Sequence, residues 1–331
     1  MKLAVLGAGA WGTALAITFA QKHDVTLWSR DTSHIVEVTG VRSNMRYLPG
    51  VVLPQSIRVE TDLAATLANA DLALVATSTA GLAATTALIH QFRPDMPILW
   101  ACKGFDKITG KLPHETVGQL MDTKPGIHYG VLSGPSFALE VAKGLPCALT
   151  LAANNFTFAQ DMTAQLNGPA LRIYSSDDLL GVELGGALKN VMAIAAGISD
   201  GMQLGLNARA ALITRGLAEI VRLGVAMGGK PETFMGLTGL GDLVLTATGD
   251  LSRNRTVGVQ LAQGKSLDAT LAALGHVAEG VDSAHTALAL ARRYAVDMPI
   301  TEAVNAVLFA QADPRATLKR LLSRDTKAES A

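Results

Sequence analysis

Met1-Lys-Leu-Ala-Val-Leu-Gly7-Ala-Gly9-Ala-Trp-Gly12 opens the chain, and its reading decides the fold. Leu3 to Leu6 form a short apolar strand that runs directly into three glycines spaced G-x-G-x-x-G, and Thr13-Ala-Leu-Ala-Ile17 continues with a helical pattern. In that context each glycine has a separate task. Gly7 allows the tight turn, Gly9 lets the backbone approach a pyrophosphate, and Gly12 permits close packing of helix on strand. The anion then rests on the helix N-terminus, where free N–H groups and the positive dipole end favour it. The opening therefore predicts a dinucleotide-binding loop built on Gly7, Gly9 and Gly12. A purely structural glycine turn is the alternative.

Working outward, 331 residues are long for one core and suggest two domains. The chain is 49% hydrophobic and 17% charged, with 28 basic and 28 acidic residues, so nothing in it resembles a nucleic-acid footprint. The mean hydropathy of +0.29 reads as a packed interior with some apolar surface compatible with a homodimer. Apolar stretches are expected to be broken by glycine or charge before they reach membrane-spanning length, roughly 18 residues. Two cysteines, Cys102 and Cys147, cannot build a disulfide framework, and no secretory segment precedes the first strand, so cytoplasm is the expected compartment. The seven histidines show no paired metal-ligand spacing, so no metal is expected.

Strand-like segments at Val25 to Ser29, Leu72 to Thr77, Ile98 to Cys102 and Tyr129 to Leu132 alternate with helical periodicity at Trp11 to Gln21 and Leu82 to His90. This alternation predicts an α/β, doubly wound, mainly parallel sheet. Cys147 to Ala152 and Leu171 to Tyr174, flanking a helix over Phe156 to Asn167, extend it to about residue 175. Beyond the Ser175-Ser-Asp-Asp178 cap, Leu180, Leu184, Leu188, Val191, Ala195 and Ile198 fall at helical spacing and predict one long helix. Later blocks, at Ala208 to Met227, Thr256 to Gln263, Leu267 to Leu274, Ser283 to Tyr294 and Ile300 to Phe309, also read as helices. The expected organisation is a nucleotide-binding domain over 1–177, an all-helical substrate domain over 178–322 and a flexible tail over 323–331.

Several residues suggest chemistry. The second strand ends Trp28-Ser-Arg30-Asp31, where an acid would accept from a ribose 2'-OH and an arginine would suit a 2'-phosphate. Asp31 can instead cap the next helix and leave Arg30 for NADP(H), which the arginine favours, with NAD(H) as the alternative. Lys189, set among glycine, alanine and leucine, is a candidate general acid and base whose pKa desolvation would lower. A lysine snorkelling from a buried helix is the plainer reading. Asp242, in Thr238-Gly-Leu-Gly-Asp242-Leu, wants a cation or several donors; with Lys189 across a cleft the pair would position the ammonium and orient a substrate hydroxyl, though Asp242 could simply cap a helix starting at Leu243. Ser252-Arg253-Asn254 offers a hydroxyl, a forked guanidinium and an amide, suited to a phosphate or polyol, or else forms a solvated basic turn. Lys103, at a strand exit, is placed to meet an anionic substrate group or the nicotinamide end. Ser136, in Ser133-Gly134-Pro-Ser136, can hold a substrate oxygen or serve as a plain N-cap.

Taken together, the runs Gly186-Ala-Leu-Lys189-Asn, Gly197-Ile-Ser-Asp200-Gly, Gly205-Leu-Asn207, Ala101-Cys-Lys103-Gly, Gly134-Pro-Ser-Phe-Ala138 and Gly239-Leu-Gly-Asp242-Leu closely resemble the bacterial biosynthetic, NAD(P)-dependent glycerol-3-phosphate dehydrogenases. The resemblance covers nearly the whole chain. It implies a Rossmann-type domain followed by a helical one, as in 6-phosphogluconate dehydrogenase, and reversible reduction of dihydroxyacetone phosphate to sn-glycerol 3-phosphate for phospholipid synthesis. It further implies Lys189 as general acid and base. Lys103, Gly134, Ser136, Asp242, Ser252, Arg253 and Asn254 would hold substrate. Ala10, Trp11, Arg30, Lys103, Ala138, Arg253, Val277 and Glu279 would face the cofactor. Position 10 is often serine in relatives, so a side-chain hydrogen bond there is missing here. A dehydrogenase acting on a 3-hydroxy acid or on 6-phosphogluconate is the competing reading, and a dinucleotide-binding regulator without catalysis is a third.

Overall fold

The computed structural model describes residues 1–121, 126–275 and 278–323. The first half runs β1 (Lys2–Leu6), α1 (Ala10–Phe19), β2 (Asp24–Trp28), α2 (Thr32–Val41), β3 (Arg58–Glu60), α3 (Leu63–Ala68), β4 (Leu72–Val75), α4 (Thr79–Phe92), β5 (Ile98–Trp100), α5 (Pro113–Met121) and β6 (Tyr129–Ser133). It continues through α6 (Ala138–Ala142), β7 (Cys147–Ala153), α7 (Phe156–Leu166) and β8 (Leu171–Ser176). All eight strands lie in one sheet, in the order β3-β2-β1-β4-β5-β6-β7-β8. The first six follow the doubly wound order of dinucleotide-binding sheets. Among the described strands of the sheet, only β6 and β7 pair antiparallel.

Strand β1 shows why this is a two-faced sheet. Leu3 and Val5 enter one apolar cluster with Leu15 of α1 and Phe158 of α7, whereas Ala4 and Leu6 enter another with Leu82 of α4 and Val117 of α5. The side-chain period of two sends alternate residues to opposite faces, and helices cover both.

From Leu179 onward every described element is helical: α8 (Leu179–Gly201), α9 (Gly205–Ala226), α10 (Pro231–Met235), a π-helical turn (Leu237–Gly241), α11 (Asp242–Thr248), α12 (Arg253–Ala262), α13 (Leu267–Leu274), α14 (Glu279–Arg293), α15 (Pro299–Phe309) and α16 (Pro314–Leu322). The expected cap of α8 is real: Asp178 Oδ1 accepts from Gly181 N at 2.8 Å, and Oδ2 accepts from Lys230 N at 2.8 Å. Helix α8 is buried all round, which suits an axis that other helices surround. Contrary to the sequence expectation, it is long and apolar enough to cross a membrane, yet 89% of its most apolar window lies buried inside the protein. The expected tail falls, apart from Ser323, outside the described residues.

The small residues of α8, Gly185, Gly186 and Gly197 among them, leave room that protein fills. A Cβ on Gly197 would lie 2.0 Å from the Arg255 carbonyl oxygen, and one on Gly258 would lie 2.1 Å from that of Ile194. Helices α8 and α12 thus meet backbone to backbone, which brings the start of α12 close to the middle of α8.

Candidate active site

At the end of β1, Gly7 takes φ +122°, a conformation that side chains rarely adopt, and its N–H donates to the Trp28 carbonyl at 2.8 Å. A Cβ on Gly12 would lie 1.9 Å from the Gly7 carbonyl oxygen, whereas one on Gly9 would meet nothing within 4 Å. The first glycine makes the turn, the third the close packing, and the second faces open space. That space lies in front of the N-terminus of α1, whose cap Gly9 carries no side chain to fill it. This cradle fits a dinucleotide diphosphate. Ala10 and Trp11 begin α1 and are half-buried, packing against the same apolar cluster as Ala138 at the start of α6. Asp31 caps α2, accepting from His34 N at 3.1 Å, which leaves Arg30 exposed at the exit of β2. Val277 lies outside the described residues.

Lys189 sits in the middle of α8, and its side chain is only 8% exposed. Its Nζ donates to Asp242 Oδ1 at 2.5 Å and to Thr246 Oγ1 at 2.8 Å. The Thr246 hydroxyl lies 3.2 Å from the same carboxylate oxygen. Asp242 is the first residue of α11, delivered by the π-helical turn before it, and its other oxygen accepts from Lys103 Nζ at 2.7 Å. Lys103 also donates to the Gly134 carbonyl at 2.9 Å, as does the Ser136 hydroxyl at 3.1 Å. One carboxylate therefore holds two ammonium groups, Lys103 from the exit of β5 and Lys189 from α8. The sequence had placed Lys103 against an anionic ligand group and had not paired it with Asp242.

The charges follow from this packing. Burial pulls the Lys189 ammonium down to about 8 from its ordinary 10.5, although Asp242 works against the fall and Lys103 adds to it. Burial alone would raise Asp242, but the two lysines outweigh it and hold the carboxyl below its usual range. A lysine near 8 can both give and take a proton around neutrality.

Above this triad, Asn254 Nδ2 donates to Asn190 Oδ1 at 2.9 Å, and Asn254 Oδ1 accepts from Gly280 N at 3.0 Å. Asn254 is thus a joint between α8, α12 and α14, with one amide N–H to spare. Ser252 caps α12, accepting from Arg255 N at 3.2 Å, so its oxygen has a structural task as well. Arg253 is exposed on the first turn of α12 and makes no hydrogen bond or ion pair among the described residues. Glu279, half-buried at the start of α14, is raised by burial against the pull of Arg253, Lys103 and Lys189. Ser136 is not an N-cap: Phe137 holds that position on α6 without a side-chain bond.

Sequence reasoning missed three residues. Thr246 lies one helical turn past Asp242, a spacing that places it on the same face. Asn190 follows Lys189 directly. Glu183, buried on α8, accepts from Trp100 Nε1 at 2.9 Å, from His114 N at 3.0 Å and from His114 Nδ1 at 2.5 Å. It ties the lysine helix to β5 and α5, and no local signal marks it.

Comparison with known proteins bears on this geometry. Residues 2–159 match the family model for the NAD-dependent glycerol-3-phosphate dehydrogenase N-terminus, and residues 178–319 match that for the C-terminus. A glycerol-3-phosphate dehydrogenase [NAD(P)+] of Aromatoleum aromaticum is 56% identical over 330 residues, covering 99% of this chain and 100% of that one. One from Ralstonia nicotianae is 56% identical over 336 residues, covering 100% and 99%. The crystal structure of the glycerol-3-phosphate dehydrogenase of Coxiella burnetii superposes with a TM-score of 0.92 at 41% identity, covering 98% of this chain and 99% of that one. A D-mandelate dehydrogenase, 14% identical with a TM-score of 0.63, shares only the fold. With a glycine cradle at one end of the sheet, a buried lysine in the helical half and two family models that between them account for nearly every residue, the chain belongs to the NAD-dependent glycerol-3-phosphate dehydrogenase family.

Proposed function

We propose that the protein reversibly reduces dihydroxyacetone phosphate to sn-glycerol 3-phosphate, using NADP(H) or NAD(H), with residues 1–177 binding the cofactor and 178–322 forming most of the substrate pocket. The observation that carries this reading is the Lys189–Asp242–Lys103 triad, set beside a diphosphate cradle in a chain of this family. A bound reduced nicotinamide supplies hydride to the ketone carbon of the substrate. Lys189 hydrogen-bonds the ketone oxygen and passes its proton to the alkoxide that develops there. Asp242 holds the ammonium at the correct angle. When Lys189 becomes neutral, Asp242 keeps Lys103 as its counter-ion, so no buried charge is orphaned during the step. Thr246 limits the lysine to one orientation. Gly134, Ser136 and Lys103 line the pocket on the sheet side, while Ser252, Arg253 and Asn254 present donors at the start of α12 for the substrate phosphate and hydroxyls. Lys103, Ala138, Arg253 and Glu279 stand where they can also touch the cofactor.

A cytoplasmic homodimer, expected from composition, and a part in glycerophospholipid synthesis, implied by the family resemblance, extend the proposal without altering the chemistry. The test is Lys189→Ala, followed through nicotinamide absorbance with dihydroxyacetone phosphate. Turnover should fall by several orders of magnitude, about what a positioned acid contributes together with the orientation it imposes, while cofactor affinity stays nearly intact. Near-normal turnover in this variant defeats the proposal.

A further inference from the structure

The exit of β2 adjoins the glycine loop, since the last residue of that strand, Trp28, accepts the Gly7 N–H at 2.8 Å. In a sheet of this order the adenosine ribose lies at this exit, and a free acid there selects NAD by taking the 2'-OH and repelling a 2'-phosphate. Asp31 is the acid in question, and neither of its oxygens is free. Oδ1 accepts from Ser33 Oγ at 2.7 Å and from His34 N at 3.1 Å, which spends it on the start of α2. Oδ2 faces Arg46 NH1 at 3.3 Å.

Arg46 is not a stray surface cation. Its guanidinium lies 5.0 Å over the ring of Tyr47, and the segment that carries it is fastened to the pyrophosphate loop. Asn44, fully buried, donates to the carbonyl of Ala8, between Gly7 and Gly9, at 2.9 Å and to Thr13 Oγ1 at 2.7 Å. The oxygen of the same amide accepts from Tyr47 N at 3.1 Å. The buried His34 ring, 3.2 Å from the Ala8 carbonyl, meets the Tyr47 ring edge-on at 5.1 Å. The segment that carries Arg46 is therefore held at a fixed distance from the place where the diphosphate would sit, within reach of the exposed guanidinium. Arg46 spends one long contact on Asp31, and most of its forked N–H donors remain available. Arg30, next to Asp31 in the chain, is exposed and makes no ion pair among the described residues.

We propose that Arg46 is a cofactor-selectivity residue: paired with Arg30 it forms a two-arginine receptor for the 2'-phosphate of NADP(H), and by facing Asp31 it cancels the acid that would otherwise exclude that phosphate. The proposal rests on the reading that a nicotinamide dinucleotide occupies the glycine cradle. It makes the chain select NADP(H) while still admitting NAD(H), whose 2'-OH needs neither arginine.

The test is equilibrium titration of the purified protein with NADPH and, separately, with NADH, read by calorimetry, for the parent, Arg46→Ala and Arg30→Ala. A solvent-exposed arginine on a doubly charged phosphate should contribute roughly a five- to tenfold change in affinity. Arg46→Ala should lose about that factor for NADPH and less than about twofold for NADH. The NADPH loss should shrink as salt rises, because the contact is exposed. Unchanged NADPH affinity in Arg46→Ala, or equal losses for both dinucleotides, overturns the inference alone. A parent protein that binds neither dinucleotide overturns it together with the dehydrogenase reading.

Discussion

Replacing Asp242 with Asn tests the electrostatic core of the site, because it removes the charge but keeps the shape. In the parent, Lys189 titrates at about 8, so at neutral pH roughly nine in ten molecules carry the ammonium that ketone reduction needs. Asp242 Oδ1 lies 2.5 Å from that nitrogen. At an effective dielectric of about 20, a pair of unit charges some 4 Å apart is coupled by about 4 kcal/mol. Sharing the carboxylate with Lys103 and relaxation around the new amide reduce what is lost to roughly 1.5–3 kcal/mol, which is about one to two pKa units. The direction is fixed: without the carboxylate, burial and the Lys103 charge both disfavour the ammonium, so the pKa falls.

Ketone reduction uses the protonated lysine, so its rate drops on the alkaline side of this pKa. In Asp242→Asn the alkaline limb of kcat should move from near 8 to roughly 6–7, measured by NADPH or NADH oxidation with saturating dihydroxyacetone phosphate across the pH range. On the acid plateau, where both proteins are protonated, any remaining deficit measures lost orientation and is read separately. A limb that stays put, or moves to higher pH, would refute the claim that Asp242 sets the acid strength of Lys189. Retained circular dichroism is the control, since breaking a buried pair costs about 3–5 kcal/mol when the stranded charge cannot be discharged. Here it can be, by deprotonation of Lys189.

The glycine loop offers a contrast: Gly9→Ala adds a Cβ that meets nothing at an ordinary φ of −76°, so it should fold normally yet bind NADPH and NADH poorly in titration, whereas Gly12→Ala drives a Cβ to 1.9 Å from the Gly7 carbonyl and should lower Tm. Equal effects of the two on stability would contradict the division of labour. Gly197→Ala pushes α12 off α8 and should destabilise by about 1–3 kcal/mol in urea unfolding while raising KM for the triose phosphate, because Arg253 and Asn254 ride on α12. A normal KM would show that the helix contact does not position them. Glu183→Ala leaves the buried Trp100 Nε1 and the half-buried His114 N without acceptors and should cost about 2–4 kcal/mol, with Glu183→Gln, which keeps one acceptor oxygen, losing clearly less. Matching losses in thermal melts would mean that the carboxylate charge and its paired oxygens, not the side-chain shape or a single acceptor, are what Glu183 supplies.

Much of the fold is legible because its signals are local. The glycine spacing, the apolar strands and the Asp178 cap each announce an element within a few residues of itself, and the structure places them within a residue or two of expectation. Strand β3 was silent, since Arg58-Val-Glu60 is too short and too polar for an apolar run, and it exists because the open edge of β2 gives it something to pair with. The antiparallel pairing of β7 was equally hidden. Strand direction follows from the connection that precedes it, and the connection through α6 gives no sign of it in composition.

The site is legible by type and partly by partner: the Lys189–Asp242 pair can be read as a possibility across a cleft, whereas the second lysine on the carboxylate cannot. Lys189 and Asp242 each stood out as lone charges in apolar or glycine-rich settings, which is a desolvation signal that one residue can carry. That they meet, and that Lys103 takes the other oxygen, spans separations of 53 and 139 residues and depends on how α8 docks against the exit of β5. The docking also explains why the acid needs two lysines. A single buried pair would hold Lys189 protonated too firmly to donate, while an unpaired lysine would lose its proton before the substrate arrived. Burial lowers the amine to about 8 from its ordinary 10.5, and sharing Asp242 with Lys103 adds to that fall by weakening the carboxylate's grip on Lys189. The same sharing leaves the Lys189–Asp242–Lys103 triad with one net positive charge before proton transfer and none after it. The empty pocket therefore attracts an anionic ketone, and the step that discharges Lys189 also loosens the electrostatic hold on the product.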